Sequence, residues 1–151
     1  RSALGRFVGR DSLTRVAGTL GRLEPGGDEE DTAAFVCDIR GYSTLSQNLP
    51  ARESGLLAGE FAGVVIRAAW PYGGHVADFA GDGALVIFPR SQVGDDYIWK
   101  ATQGALSLRE KMAEWQKDWD ERGWGELRFG VGLHAGRPWV GLIGVDELMK
   151  V

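Results

Sequence analysis

The feature that most restricts the fold of this chain is a pair of short apolar runs either side of a glycine-bounded turn. His75–Phe79 and Ala84–Phe88 read as strands, and Ala80-Gly81-Asp82-Gly83 reads as the turn of a β-hairpin. A hairpin commits this part of the chain to antiparallel pairing, so the remaining elements must add to or pack on such a sheet. Ala33–Asp38 is a further strand-like run. Its nearly unbroken apolar character suits a strand buried on both faces, and Gly41 permits a tight turn just after it.

Ser43–Gln47 reads as the start of a helix. A longer helix is expected over Arg52–Trp70, with Leu56, Leu57, Phe61, Val64 and Val65 along one side and Pro71 ending it. Pro89 and Gly94 mark a loop. Tyr97–Arg122 reads as the second long helix, because Ala101, Ala105, Leu108, Met112, Trp115 and Trp119 recur at helical spacing. Leu127–His134 and Val140–Val145 read as two more strands around a turn at Gly136–Pro138. The order β-α-α-β-β-α-β-β describes an α+β sandwich, with helices on one face of a mostly antiparallel sheet. Upstream, Leu4–Leu23 has spaced apolar positions. Pro25, Gly26, Gly27 and the acidic run Asp28–Asp31 then break the pattern. Residues 1–31 are therefore read as an N-terminal helix or linker, and residues 32–151 as one folded domain.

A formal net charge of -4 with no basic stripe argues against a nucleic-acid partner. It leaves room for a small nucleotide, whose charge a metal ion and backbone amides can meet. The single cysteine, Cys37, excludes an internal disulfide and a cysteine-rich zinc site, and a reducing cytoplasm fits. No apolar run approaches the length of a bilayer span, and no signal peptide is visible. The sequence opens at Arg1 rather than Met, which reads as a piece of something longer, with an upstream sensor or membrane segment outside it.

Two aspartates stand out by position. Asp38 ends a strand-like run, and Asp82 sits in the hairpin turn. Taken singly, Asp38 reads as a helix cap and Asp82 as a turn residue. If their strands are neighbours, both carboxylates reach one edge of the sheet. They would repel unless a cation lay between them, and magnesium or manganese, which take oxygen ligands, are the natural occupants. Ile39-Arg40-Gly41-Tyr42-Ser43 follows Asp38 directly. A turn into a helix leaves free N–H groups that suit phosphate, and the Ile39 carbonyl is a further metal-ligand candidate.

These residues resemble a known family. Phe35-Val36-Cys37-Asp38-Ile39-Arg40-Gly41-Tyr42-Ser43-Thr44-Leu45-Ser46 resembles the first signature of class III adenylyl and guanylyl cyclases. Gly73-Gly74-His75-Val76-Ala77-Asp78-Phe79-Ala80-Gly81-Asp82-Gly83 resembles the second. Phe129-Gly130-Val131-Gly132-Leu133-His134-Ala135-Gly136, with Gly141-Leu142-Ile143-Gly144, resembles the third. The resemblance implies a ferredoxin-like palm over residues 32–151 and a head-to-tail homodimer with active sites at its interface. It implies two magnesium or manganese ions held by Asp38, Asp82 and the Ile39 carbonyl, with Ile39, Arg40, Gly41, Tyr42 and Ser43 around the triphosphate. The reaction would close a nucleoside triphosphate into a 3′,5′-cyclic nucleotide and release pyrophosphate.

Two departures from the family pattern bear on function. Four residues before Asp82 the family carries lysine in adenylyl cyclases or glutamate in guanylyl cyclases, and here stands Asp78. An ionised carboxylate only accepts hydrogen bonds. Asp78 thus admits ATP through the adenine amino group, GTP, or a pyrimidine nucleotide such as CTP or UTP, as in cyclases of antiviral defence; a solvated, outward-facing Asp78 is the plainer reading. The family also continues with an asparagine and an arginine that orient the ribose and stabilise the transition state. Nothing after Gly144 matches them, so the C-terminal part is expected to be missing and residues 1–151 to be nearly inactive alone. A degenerate, non-catalytic cyclase-like regulatory or dimerisation module is the alternative. Gly26-Gly27-Asp28-Glu29-Glu30 only mimics the signature of diguanylate cyclases, since it precedes the first strand.

Of the remaining polar groups, His134 is expected to be a satisfied structural histidine, His75 and Arg137 to lie at the surface, and Cys37 to be buried. Trp99, Trp115, Trp119 and Trp124 are expected in the helix core or at a dimer contact.

Overall fold

The computed structural model of the chain describes residues 26–80, 82–145 and 148–150. The helix or linker expected over Leu4–Leu23 and the hairpin residue Gly81 lie outside the described residues. The elements are β1 (Gly26–Glu29), β2 (Thr32–Ile39), α1 (Tyr42–Asn48), α2 (Ala51–Ala69), a 3-10 turn (Trp70–Tyr72), β3 (His75–Ala80) and β4 (Gly83–Pro89). A helical turn α3 (Arg90–Val93), the long helix α4 (Tyr97–Arg122), β5 (Phe129–Gly136), β6 (Trp139–Val145) and β7 (Leu148–Lys150) complete them.

The strands form a four-stranded sheet in the order β3-β4-β2-β5 and a three-stranded sheet in the order β1-β6-β7. Every pairing is antiparallel. This is the α+β palm that the sequence predicts, with α2 and α4 packed on the four-stranded sheet. The acidic stretch read as a break contains β1, whose Gly26–Glu29 pair with Leu142–Trp139 of β6. Its partner lies at the far end of the chain, so local propensity gave no sign of it.

Helix α4 buries every residue of its predicted stripe: Ala101, Ala105, Leu108, Met112, Trp115 and Trp119. Helix α2 buries Leu57, Phe61, Val64, Val65 and Ala68, whereas Leu56, expected on the same side, is exposed. Leu56 lies one residue, or about 100° of helix, from Leu57, which places it at the margin of the stripe.

From β2, Phe35, Cys37 and Ile39 enter this core, as do Ala84, Val86 and Phe88 from β4. Phe61 stacks on Trp115 at 6.4 Å, and Trp119 meets Trp115 and Trp124 edge-on at 5.5 and 5.7 Å. Each such aromatic contributes about 1.5–3 kcal/mol by burial. The core is tight enough to demand glycine at Gly74, where a Cβ would stand 2.3 Å from the Phe88 ring.

Among the described residues the helices cover one face of the four-stranded sheet. Strand β2 was expected to be buried on both, yet Val36 on its other face is 52% exposed. That open face carries the residues of interest.

Candidate active site

Register brings the two aspartates together. Asp38, next to last in β2, pairs with Gly83, the first residue of β4, and Asp82 immediately precedes Gly83. The Ile39 N–H donates to the Asp82 carbonyl at 2.8 Å, closing the ladder at that point. Directly paired residues in such a ladder lie about 4.5–5.5 Å apart, so both aspartates belong to one end of the sheet.

Asp38 faces away from the helices, because its neighbours Cys37 and Ile39 take the core side. Its carboxylate is half exposed, but Oδ1 is buried and has no hydrogen-bond partner among the described residues. The cation beside it is Arg40, with Nε 3.4 Å from Oδ1. That contact is an ion pair rather than a well-formed hydrogen bond. Gly130 of β5 pairs with Asp38 on its other flank. A Cβ there would stand 2.8 Å from an Arg40 guanidinium nitrogen and 3.0 Å from Asp38 Oδ1. Glycine at this position is what gives both side chains room.

These groups open onto a groove of about 530 Å³ lined by Val36, Asp38, Arg40, Asp78, Leu85 and Gly130 among others. Asp78 reaches it through a β-bulge. Val76 pairs with Val86, but Asp78 pairs with Leu85, so Ala77 is left between them. Val76 and Phe79 both pack against the core although they are three residues apart. Strict alternation would put Asp78 on the core side with Val76. The bulge transfers it to the face of Leu85, Val36 and Asp38. There it is part-buried, and its Oδ1 accepts the Phe79 N–H at 2.9 Å. The outward, solvated placement considered above is thus only half right. The three-residue spacing of Val76 and Phe79 was a legible signal for the bulge.

Of the backbone amides of Ile39–Ser43, expected to cradle phosphate, two are already bonded within the fold. The Ile39 amide is spent on Asp82, and the Arg40 amide donates to the Arg128 carbonyl at 2.8 Å. Gly41 caps α1 with φ 71, a left-handed conformation that glycine adopts without strain. The first amides of α1, from Tyr42 and Ser43 onward, have no partner within the helix. Tyr42 itself packs its side chain against the core.

Burial pushes the Cys37 thiol up to about 12, with the nearby Asp38 charge adding to the effect, so it stays a protonated wall residue. His134 is exposed on β5 rather than packed as a structural histidine, because β5 is an edge strand. His75 is half-buried and not at the open surface. Arg137 is exposed, as expected, 4.0 and 3.8 Å from the carboxylates of Glu29 and Asp31. Trp115, Trp119 and Trp124 are core, but Trp99 is exposed and meets Tyr72 edge-on.

Among the described residues no group of three or more histidines, cysteines or acids is placed to hold a metal ion. Asp38 and Asp82 stand at one end of the sheet by backbone register. The unpartnered Asp38 Oδ1 fits a hard cation, which accepts an incomplete protein shell when phosphate oxygens and water supply the rest. Among the same residues no helix is long and apolar enough to cross a membrane.

Comparison with known proteins matches this fold. Crystal structures of the guanylyl cyclase Cya2 and of the adenylyl cyclase CyaB from P. aeruginosa superpose with TM-scores of 0.76 and 0.77. They are 26% and 25% identical, over 83% of this chain and 64% and 65% of theirs. By fold and by the order of its three motifs, this chain is similar to the catalytic domains of class III adenylyl and guanylyl cyclases. Uncharacterized proteins of Mycobacterium tuberculosis are 29% and 30% identical over 97% of this chain. The chain spans only 26% and 24% of their lengths, about a quarter. No family profile matches the chain.

Proposed function

We propose that the protein converts a nucleoside triphosphate into its 3′,5′-cyclic monophosphate and pyrophosphate, at a site centred on Asp38 and Asp82. The observation that carries this reading is the convergence of the two aspartates at one sheet end, with one carboxylate oxygen buried and unsatisfied. The ribose 3′-oxygen attacks the α-phosphorus, the bond to the β-phosphate oxygen breaks, and the hydroxyl proton departs as the ring closes. Asp38, Asp82 and the Ile39 carbonyl are the groups that would hold two magnesium or manganese ions. When bound, those ions lower the charge barrier and favour the deprotonated 3′-oxygen.

The chain's own residues do the positioning. The opening amides of α1, at Tyr42 and Ser43, offer donors to the phosphates beside Gly41, and Arg40 adds positive charge. Asp78, on the groove face, accepts from a base that presents an N–H edge. Guanine N1–H with its amino group, the adenine amino group and the pyrimidine amino or imide N–H all qualify, so base identity is the open variable. ATP follows from the family, GTP from the acidic residue, and CTP or UTP would place the protein in antiviral signalling. A homodimer is proposed to complete the site, consistent with the open, partly apolar sheet face around Val36. A cytoplasmic location accords with a nucleotide substrate.

The test is turnover of all four ribonucleoside triphosphates by the full-length protein with manganese, beside Asp38→Ala and Asp82→Ala. A cyclic product that both variants lose supports the reading. No product from any nucleotide, or equal product from the variants, defeats it. Metal-dependent nucleotide binding without turnover would instead mark a regulatory or dimerisation module.

A further inference from the structure

The ion pair at Asp38 has a consequence for how the site takes up its metal. Arg40 is rooted firmly, since its amide is bonded to the Arg128 carbonyl and the left-handed Gly41 follows. Only its side chain is free to move, and that side chain is 65% exposed. The guanidinium nevertheless lies against Asp38 Oδ1 at 3.4 Å, in space that exists because residue 130 has no Cβ. Among the described residues Asp38 forms no other ion pair. The contact neutralises the carboxylate without giving Oδ1 a hydrogen bond, so the oxygen remains an available acceptor.

We propose that Arg40 is a displaceable counter-cation, which occupies the Asp38 carboxylate until a divalent cation takes its place. This rests on Asp38 being a metal ligand. A cation arriving at Asp38 must break the internal pair, and the pair is built to break. It is long, solvent-accessible, and carried by a side chain that can swing away from a fixed backbone. Arg40 therefore keeps the acidic end of the sheet neutralised before metal binds, and it raises the divalent concentration needed to fill the site. Exposed ion pairs are weak, so the competition amounts to roughly two- to fivefold in affinity.

The experiment is manganese binding to the full-length protein without nucleotide, followed by the electron paramagnetic resonance signal of the free ion. Arg40→Gln and Arg40→Ala should each bind manganese about two- to fivefold more tightly than wild type, while Arg40→Lys, which keeps the charge, stays within about twofold. Asp38→Asn should lose the site. Thermal melting should match wild type in all four, because the two side chains are 65% and 49% exposed. Unchanged or weaker binding in Arg40→Gln and Arg40→Ala, with the site still lost in Asp38→Asn, overturns the counter-cation and leaves the metal site standing. Binding that Asp38→Asn does not alter, or no binding by wild type, removes the metal reading and this inference with it.

Discussion

The two ends of the β2–β4 ladder are built on opposite terms. Towards the helices, Phe35, Phe61, Phe88 and the three tryptophans of α4 and its C-terminal turn fill space against one another. The charged pair nearest them, Glu60 and Arg122, is fully engaged: both guanidinium nitrogens bond the carboxylate, at 2.6 and 2.8 Å, and the Trp115 indole N–H adds a third bond. At the sheet's open end, Asp38 has a buried oxygen with no hydrogen bond and a loosely held arginine, and Asp82 is exposed. A buried polar atom without a hydrogen bond is costly; Trp119 Nε1 in the core and Gln92 Oε1 are such atoms too, but Asp38 Oδ1 differs in being a carboxylate oxygen beside a second aspartate at the sheet end. The packed end holds the strands in register, and the register sets the two aspartates side by side.

Substitutions at the two ends should separate cleanly. The largest effect is expected for Asp82→Ala: turnover should fall by about a thousandfold, equivalent to ~4 kcal/mol of barrier, while the melting temperature stays within a degree or two of wild type. A comparable loss of folding stability would dissolve the contrast. Phe61→Ala should do the reverse, removing about 3–5 kcal/mol of stability through the cavity it leaves, as read by urea denaturation. Gly74→Ala comes next, at about 1–3 kcal/mol, because the new methyl collides with the Phe88 ring rather than with a flexible chain end.

The smallest effect is a pH dependence. The hydrogen bond from Arg122 holds the Glu60 carboxyl below its usual range, partial burial opposes this, and the Trp115 bond assists it. A carboxyl whose folded pKa is depressed stabilises the fold above its unfolded value and loses that contribution as pH falls through the folded one. Glu60→Gln should therefore cost about 1 kcal/mol near neutrality and almost nothing once the pH has fallen below the depressed folded pKa, where the wild-type carboxyl is itself protonated. A gap between the two proteins that persists into acid would show that the pair acts through packing instead.

Much of the fold was legible along the chain because it is encoded in local periodicity. The α4 stripe from Ala101 to Trp119 repeats every three or four residues, and its bounds at Tyr97 and Arg122 are those observed. The hairpin was legible from the Asp82 turn. What periodicity misread involved two surfaces at once: the full burial of β2 failed at Val36 because the helices cover one face only. Strand β1 was missed because its partner, β6, lies at the opposite end of the domain. The candidate site divides in the same way. Asp38, Asp82 and Asp78 were visible as residues, but Gly130 was not singled out, since its importance lies in the space between two side chains.

By itself, then, the amino-acid order determined the long helices and the strands of the four-stranded sheet, the α+β class, and which acidic residues stand at strand ends and turns. These follow from side-chain spacing and backbone freedom, and both act within a few residues. Only the tertiary structure decided that Asp38 faces Gly83, that a bulge at Ala77 turns Asp78 into the groove, and that Arg40 leans on Asp38 across the gap left by Gly130. Those are matters of register between strands distant along the chain, where a shift of one residue would send each side chain to the other face.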